Sequence, residues 1–270
     1  MKRVALLDGD ILVFKAAFAC ERTEYILSTE HGYRTIRYKR DLDTEVEYLG
    51  NTPFEIKQKK VLEPLSNALS ILSNMMYGWT VDAQCSQYRV FLSGDDNFRK
   101  QVAVTKPYKG NRNSARPTYE QEIKAYLRSE YNAEQVDNLE ADDLMAMNQG
   151  PNTVICTIDK DLRQVPGWHL NPDKEEEPVL ISNEKAKYNY FWQMLVGDDV
   201  DNIPGVRRIG KKKATAMLEG LTVPEMKEAV IGCYRKAYGD DYLKVLNEQH
   251  HLIYMRRKPI SEKGLIDAYT

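Results

Sequence analysis

Carboxylates recur where short apolar runs of this chain end. Val4–Leu7 stops at Asp8-Gly9-Asp10, Tyr88–Leu92 at Ser93-Gly94-Asp95-Asp96, and Thr153–Ile158 at Asp159-Lys160-Asp161. Glu140, Asp142 and Asp143 form a tight group, and Asp198 and Asp201 another. Ionised carboxylates gathered in one crevice repel each other unless cations neutralise them, so such a gathering points to a metal site. Oxygen donors without His or Cys suit the hard ions Mg²⁺ or Mn²⁺. Two such ions side by side clamp the attacking and leaving oxygens of an in-line phosphoryl displacement, which is the chemistry of phosphodiester hydrolysis. Taken singly, each acid has a plainer reading as a turn former or a dipole-favoured residue in a first helical turn. Their recurrence at strand ends favours the site. Glu140 and Asp143, three apart, share a helix face, while Asp142 stands about 100° from Asp143 and would approach the ions from the side or through water.

Basic residues concentrate in two places. Phe98–Arg116 carries Arg99, Lys100, Lys106, Lys109, Arg112 and Arg116 with no acid. That composition fits either a phosphate-facing surface or a solvated loop, and the interleaved Phe98 and Tyr108, able to stack on bases, favour the surface. The second place is Gly205, Arg207, Arg208, Gly210, Lys211, Lys212 and Lys213, preceded by Asn202-Ile203-Pro204. Glycines here allow a tight hairpin before a helix whose first N–H groups face outward, the pattern of a helix-hairpin-helix phosphate binder. His31, His169, His250 and His251 have no ligand spacing, with the last pair expected on a helix surface. Tyr188–Trp192 reads as core packing.

The elements that must position these residues alternate. Apolar runs at Val4, Tyr88 and Thr153 read as strands. Helical periodicity appears over Ile11–Ala19, Ile56–Met76, Tyr119–Leu127 and Glu140–Met147. This order predicts an α/β core with a mostly parallel central sheet and flanking helices, in which ligands bind outside the carboxyl ends of the strands. Beyond Asn183 the pattern is helical throughout, with helices expected over 186–196, 211–218, 224–237 and 242–254. The expected division is therefore an α/β core over 1–182, with the basic segment near 97–119, and a helical part over 183–270 with the hairpin near 200–218. Residues 21–55 fit neither period and are expected to form a loop or hairpin.

With 38 Lys and Arg against 40 Asp and Glu, the net charge is −2, which excludes a simple basic nucleic-acid coat protein. Four scattered cysteines lack zinc-ligand spacing and predict a reduced, cytoplasmic protein. No signal peptide or membrane span is expected.

With those motifs in place, the chain resembles the flap endonuclease and 5′ to 3′ exonuclease family, which includes the 5′ nuclease domain of bacterial DNA polymerase I and free-standing bacteriophage exonucleases. The likeness runs from Asp8 to about Ala214. Asp8 takes the place of the family's first metal-binding aspartate, and Asp95, or Asp96 with a different gap, that of the second. Tyr108-Lys109-Gly110-Asn111-Arg112 is similar to the YKxxR segment at the base of the family's arch, Leu139–Asp143 to its E-A-D-D signature, and Asp159-Lys160-Asp161 to the D-x-D that follows. Gly197–Val206 is similar to G-D-x-x-D-N-I-P-G-V, in which Asp198 and Asp201 are ligands and Asp199 is not.

The resemblance implies a PIN-like nuclease core and two or more Mg²⁺ ions, with Mn²⁺ able to substitute and K⁺ at the hairpin. It implies a monomer acting on DNA 5′ ends, flaps or nicks, in the host cytoplasm if phage-encoded. In that assignment Asp8, Asp95, Glu140, Asp142 and Asp143 hold one ion and Asp159, Asp161, Asp198 and Asp201 the other. Lys109 and Arg112 offset charge developing on the phosphoryl oxygens. The short arch region leaves open a threaded arch or an open clamp, and with no polymerase segment a free-standing nuclease is expected. Two other readings compete. Asp8-Gly9-Asp10 also fits the nucleophile motif of haloacid-dehalogenase-like phosphatases, which leaves the E-A-D-D group and both basic segments unexplained. A DNA-structure-binding module with a dead site would need missing ligands, and none is missing.

Overall fold

The protein is described by a computed structural model over residues 3–112 and 115–258. Elements follow in chain order: β1 (Val4–Asp8), α1 (Gly9–Ala19), β2 (Glu21–Thr29), β3 (Gly32–Ile36), α2 (Lys39–Leu49), β4 (Glu55–Leu62), α3 (Leu65–Asp82), β5 (Gln87–Ser93) and α4 (Phe98–Val102). Next come α5 (Glu120–Tyr131), β6 (Glu134–Val136), α6 (Ala141–Asn148), β7 (Thr153–Cys156), β8 (Gly167–Leu170) and β9 (Val179–Ile181). Four helices finish the described chain: α7 (Asn183–Val196), α8 (Lys211–Leu218), α9 (Val223–Tyr238) and α10 (Tyr242–Ile253).

The chain divides into two compact units, one of which comprises Leu12–Met75 and Arg116–Tyr126. It contains an antiparallel sheet in the order β3-β2-β4, with a small core of Leu27, Ile36 and Leu42 between β2, β3 and α2. Here the sequence expectation needs correction. Residues 21–55 form two paired strands, a helix and the start of a third strand, and 56–62 belong to β4, not to a helix. The apolar residues Ile56, Val61 and Leu65 mimic a helical stripe, but Pro64 separates the strand from α3, and β4 pairs with β2 along its full length.

The other unit holds the six-stranded sheet, ordered β6-β5-β1-β7-β8-β9. All neighbours are parallel except β8 and β9. Ala5, Leu6 and Leu7 are fully buried because β1 lies between β5 and β7 with both faces covered, which is why it reads as a continuous apolar run. Gly9 follows at once. A Cβ there would run into the Phe91 carbonyl and the Leu92 side chain, so only glycine lets the chain turn off the strand this close to β5. Helices α7 to α10 bury a second apolar cluster that includes Phe191, Met194, Val230, Tyr234, Leu246 and Ile253. Tyr190 and Phe191 lie in this core, as expected. His250 and His251 are buried as well, not on a helix surface: His250 Nδ1 lies 2.7 Å from the Tyr190 hydroxyl, and its ring packs on His251 and Tyr254.

One ion pair ties this unit together. Arg99, at the start of α4, is 1% exposed, and its Nη1 and Nη2 donate to the two carboxylate oxygens of the fully buried Asp143 at 2.6 and 2.8 Å. Its remaining donors reach the carbonyls of Leu252 (3.0 Å) and Tyr254 (3.2 Å), while Asp143 also accepts the Arg256 N–H at 2.9 Å. One expectation changes: Arg99 is buried and not part of an exposed DNA-facing surface, and both carboxylate oxygens of Asp143 are bonded to it. Arg99→Met should strand a buried carboxylate and lower the unfolding free energy by about 3–5 kcal/mol, measurable by urea denaturation; a loss under about 1 kcal/mol would contradict this account of the pair.

Candidate active site

The cleft opens at the carboxyl ends of the central strands, within one unit. It is lined by Tyr108, Lys109, Arg112, Glu140, Asp142, Asp159, Asp161, Gln193, Asp198 and Asp201, with Ile203, Leu252, Ile253 and Met255 as its apolar wall. Beside that lining, at the end of β1, Asp8 is 3% exposed, accepts the Ile11 N–H at 3.1 Å and the Thr157 hydroxyl at 2.7 Å, and raises Asp142 of the cleft. Thr157 also accepts the Asp159 N–H, so one hydroxyl links the ends of β1 and β7. Sequence reasoning missed Thr157 because a lone threonine after a strand carries no signal of its own.

Glu140 and Asp142 come from the start of α6. Glu140 is its N-cap, and a reciprocal capping box with Asp143 fixes the first turn. Asp143 points inward to Arg99, which leaves Asp142, half-buried, facing the cleft. The 100° between neighbouring residues thus separates a structural acid from a cleft acid. Asp198 and Asp201 come from the turn after α7. Asp198 Oδ1 accepts the N–H groups of Val200 and Asp201, and its backbone exchanges two hydrogen bonds with Ile203. Gly197 and Gly205, at φ +74° and +60°, pack backbone to backbone where a side chain on either would strike the other strand of the turn.

The acids fall into two groups. Glu140 and Asp201 have cations beside them: Lys109 pairs with both, and Arg112 Nη2 donates to Asp201 at 2.6 Å. Burial pushes Glu140 up, but Arg99 and Lys109 outweigh it and hold the carboxyl below its ordinary range. Asp8, Asp142, Asp159 and Asp161 are raised all the same, because burial and like charge outweigh the cations near them. Burial, then Asp10, raises Asp8 to about 7. Burial with Asp159 raises Asp161 to about 8, and Asp161 gives a hydrogen bond to Asp198, which is held low. Asp142 is raised well above the carboxylate range by burial and by Asp159, Asp8 and Glu140, and Asp159 is raised by burial and by Asp201 and Asp198. An excess of oxygen donors that resist ionising is the electrostatic condition that a bound cation relieves. Among the described residues, however, no three His, Cys, Asp or Glu side chains converge as a ligand set in this arrangement. Lys109 and Arg112 stand between some of them.

Several expected residues lie elsewhere. Asp95 and Asp96 are exposed after β5, outside the cleft lining, and Asp96 is engaged by Lys100 and the Asn97 N–H. Tyr108 is 9% exposed, with its hydroxyl 2.9 Å from Glu140 and 2.8 Å from Asp201. It is a buried polar bridge, not a stacking platform. Arg116, in the smaller unit, pairs with Glu120 and lies over Phe14. Between α4 and α5 no described residue is helical, and residues 113 and 114 lie outside the described ones. Lys100, Lys106, Arg207, Arg208, Lys211, Lys212 and Lys213 are exposed, the last three in the first turn of α8 behind its N-cap Gly210. His169 is buried against the Val165 carbonyl, and the exposed His31 sits beside Glu30. Among the described residues no helix is long and apolar enough to cross a membrane.

The raised carboxylates have a consequence for stability. An unfolded chain releases these protons near 3.8, whereas the fold retains them to about 7 at Asp8 and about 8 at Asp161, so their contribution falls as pH rises through that interval. His169 and His250, pushed down to about 4 and about 3 by burial, act in the opposite sense below 6.5. The melting midpoint in EDTA should therefore fall between pH 6.5 and 8. Mg²⁺ should restore it at the upper end, and Asp161→Asn should flatten the fall. A midpoint that rises with pH over that interval would count against the cleft electrostatics.

No family model matches the chain. It is 25% identical to DNA polymerase I of Bacillus caldotenax over 227 residues, 72% of this chain and 25% of that protein. It is 36% identical to DNA polymerase I of Caldicellulosiruptor bescii over 103 residues, 31% of this chain and 12% of that protein. The chain thus spans about a quarter or less of the length of these relatives. Among solved structures, a mutant of the bacteriophage T5 5′-exonuclease aligns at TM-score 0.49 and 11% identity, covering 94% of this chain and all of that one. The bacteriophage T5 flap endonuclease, in a pseudo-enzyme–product complex with DNA and metal ions, aligns at TM-score 0.46 and 12% identity over 68% of this chain and 90% of that one. By motif and by its curated relatives, the chain resembles the flap endonuclease and 5′ to 3′ exonuclease family.

Proposed function

We propose that this protein is a divalent-cation-dependent, structure-selective 5′ to 3′ exonuclease and flap endonuclease that hydrolyses DNA phosphodiester bonds near 5′ ends, flaps or nicks. The observation that carries the reading is the cleft at the strand ends, where carboxylates raised by burial and by one another lie beside Lys109 and Arg112. Asp8, Asp142, Asp159, Asp161 and Asp198 are the residues that would hold Mg²⁺ or Mn²⁺, with Glu140 and Asp201 joining once their lysine and arginine partners turn to substrate. The cation's contribution, when bound, is to neutralise the carboxylates and stabilise charge on the phosphoryl group.

The chain's own residues do the rest. Lys109, 27% exposed, and Arg112, 47% exposed, have donors to offer the non-bridging oxygens of a phosphate entering the cleft. Ile203, Leu252 and Ile253 exclude water from one side. The exposed cations of 207–213 and the outward N–H groups at the start of α8 suit a duplex backbone, with the segment near 200–218 acting as a helix-hairpin-helix that also takes K⁺. Backbone contacts carry no base code, so selectivity is for structure. The phosphatase alternative needs Asp8 as an accessible nucleophile, whereas Asp8 is buried and held by Thr157 and the Ile11 N–H.

The test is cleavage of 5′-labelled flap and nicked duplexes with Mg²⁺ and with EDTA. Asp142→Ala is expected to lower the rate at least about 100-fold with flap binding retained, and Lys109→Ala to lower it by about 100- to 1000-fold, the scale of one lost charge-stabilising donor. Wild-type cleavage that is unchanged in EDTA, or an Asp142→Ala variant of normal rate, would sink the proposal.

A further inference from the structure

Two consecutive residues near the end of α10 reach in different directions. Glu248, 8% exposed, accepts the N–H groups of Val104 (2.8 Å) and Thr105 (2.6 Å) on Oε1 and the Thr105 hydroxyl (2.6 Å) on Oε2. Gln249, fully buried, accepts the Gly205 N–H at 3.1 Å. Neighbours on a helix diverge by about 100°, so one turn of α10 grips both the segment leading to Lys109 and the turn that follows Asp201.

The two gripped segments also bind each other. The Lys109 N–H donates to the Asp201 carbonyl at 2.9 Å, Asn202 Nδ2 to the Pro107 carbonyl at 2.9 Å, and Asn111 Nδ2 to the Asp199 carbonyl at 2.6 Å. Lys109 itself sits at φ +56°, a conformation that a residue with a side chain keeps only when its surroundings impose it. Thr105, four residues upstream, is where that constraint meets a helix. Three donors directed at one buried carboxylate make it a firm anchor.

We propose that α10 is a positioning brace and that Glu248 is the residue through which it sets Lys109 against the carboxylate cleft. Glu248 lines no part of the cleft and acts through Lys109. The kinetic part of this proposal rests on the nuclease reading; the structural part does not.

The experiment is a double-mutant cycle read in two ways. Amide hydrogen exchange without DNA is measured at Thr105 and Lys109 in wild type, Glu248→Ala and Glu248→Gln. Single-turnover flap cleavage is measured in the same proteins with and without Lys109→Ala. Glu248→Ala should speed exchange at both amides by about tenfold or more, since the Thr105 N–H loses its acceptor and the segment that holds the Lys109 N–H on Asp201 loses its anchor. It should slow cleavage by about 10- to 100-fold at little change in KM. Glu248→Gln keeps the oxygen that both N–H groups use and should restore both readouts to near wild type. In the Lys109→Ala background Glu248→Ala should cost nothing further. Unchanged exchange at Lys109, or rate losses that multiply across the cycle, would overturn the brace. If Glu248→Ala fails to fold, Thr105→Val, which loses only the hydroxyl contact, carries the same two readouts, and no change in either would overturn it equally. A wild type that does not cut DNA would overturn the nuclease reading and leave the exchange arm to decide the brace.

Discussion

The site depends on the Arg99–Asp143 ion pair more than on any other interaction. A buried pair of this kind adds little net stability over a well-packed apolar alternative, yet losing one partner is costly. Its value here is geometric. By holding Asp143 inward it sets the rotation of the first turn of α6, and that rotation turns Asp142 to the cleft while Glu140 caps the helix beside Lys109. Arg99 also approaches Glu140 at 3.3 Å, so one guanidinium serves a structural acid and a cleft acid together. The last turn of α10 and the residues after it join the same centre through Leu252, Tyr254 and Arg256.

Around that anchor the cleft is electrically lopsided. Glu140 and Asp201 have fixed cations, while Asp8, Asp142, Asp159 and Asp161 are crowded by burial and by one another. Buried like charges without counter-charge favour protonation or a mobile cation.

Much of this was legible in the sequence because the governing patterns are local. Val4–Asp8 announces a central strand ending in an acid, and Glu140–Asp143 a capped helix start. The glycines near Gly205 announce a tight turn, in which the structure finds positive φ at Gly197 and Gly205. What was not legible depends on partners distant in the chain. Arg99 and Tyr108 look like members of an exposed basic segment until Asp143, Glu140 and Asp201 are seen to claim them. Asp143 looks like a ligand because its helix neighbour faces the cleft. His250 and His251 look like surface residues because α10 ends in polar side chains that the core takes in. Residues 21–62 hid a sheet because β4, nearly all of it exposed, has no alternating burial for a period of two to report.

The way the Arg99 centre is assembled bears on when the protein acquires its working form during synthesis. Asp8 precedes nearly all the described residues, yet the carbonyls of Leu252 and Tyr254 and the N–H of Arg256 that complete the shell of Arg99 and Asp143 lie close to the end of them. Contacts so distant in sequence form late, because the chain between them must first be ordered. A nascent chain that has not yet released α10 from the ribosome therefore has its acids without the scaffold that aims them. Such a chain can bury β1 and β5, but it cannot set the rotation of α6. The order of translation thus keeps the cleft unassembled until nearly the whole of the larger unit has emerged.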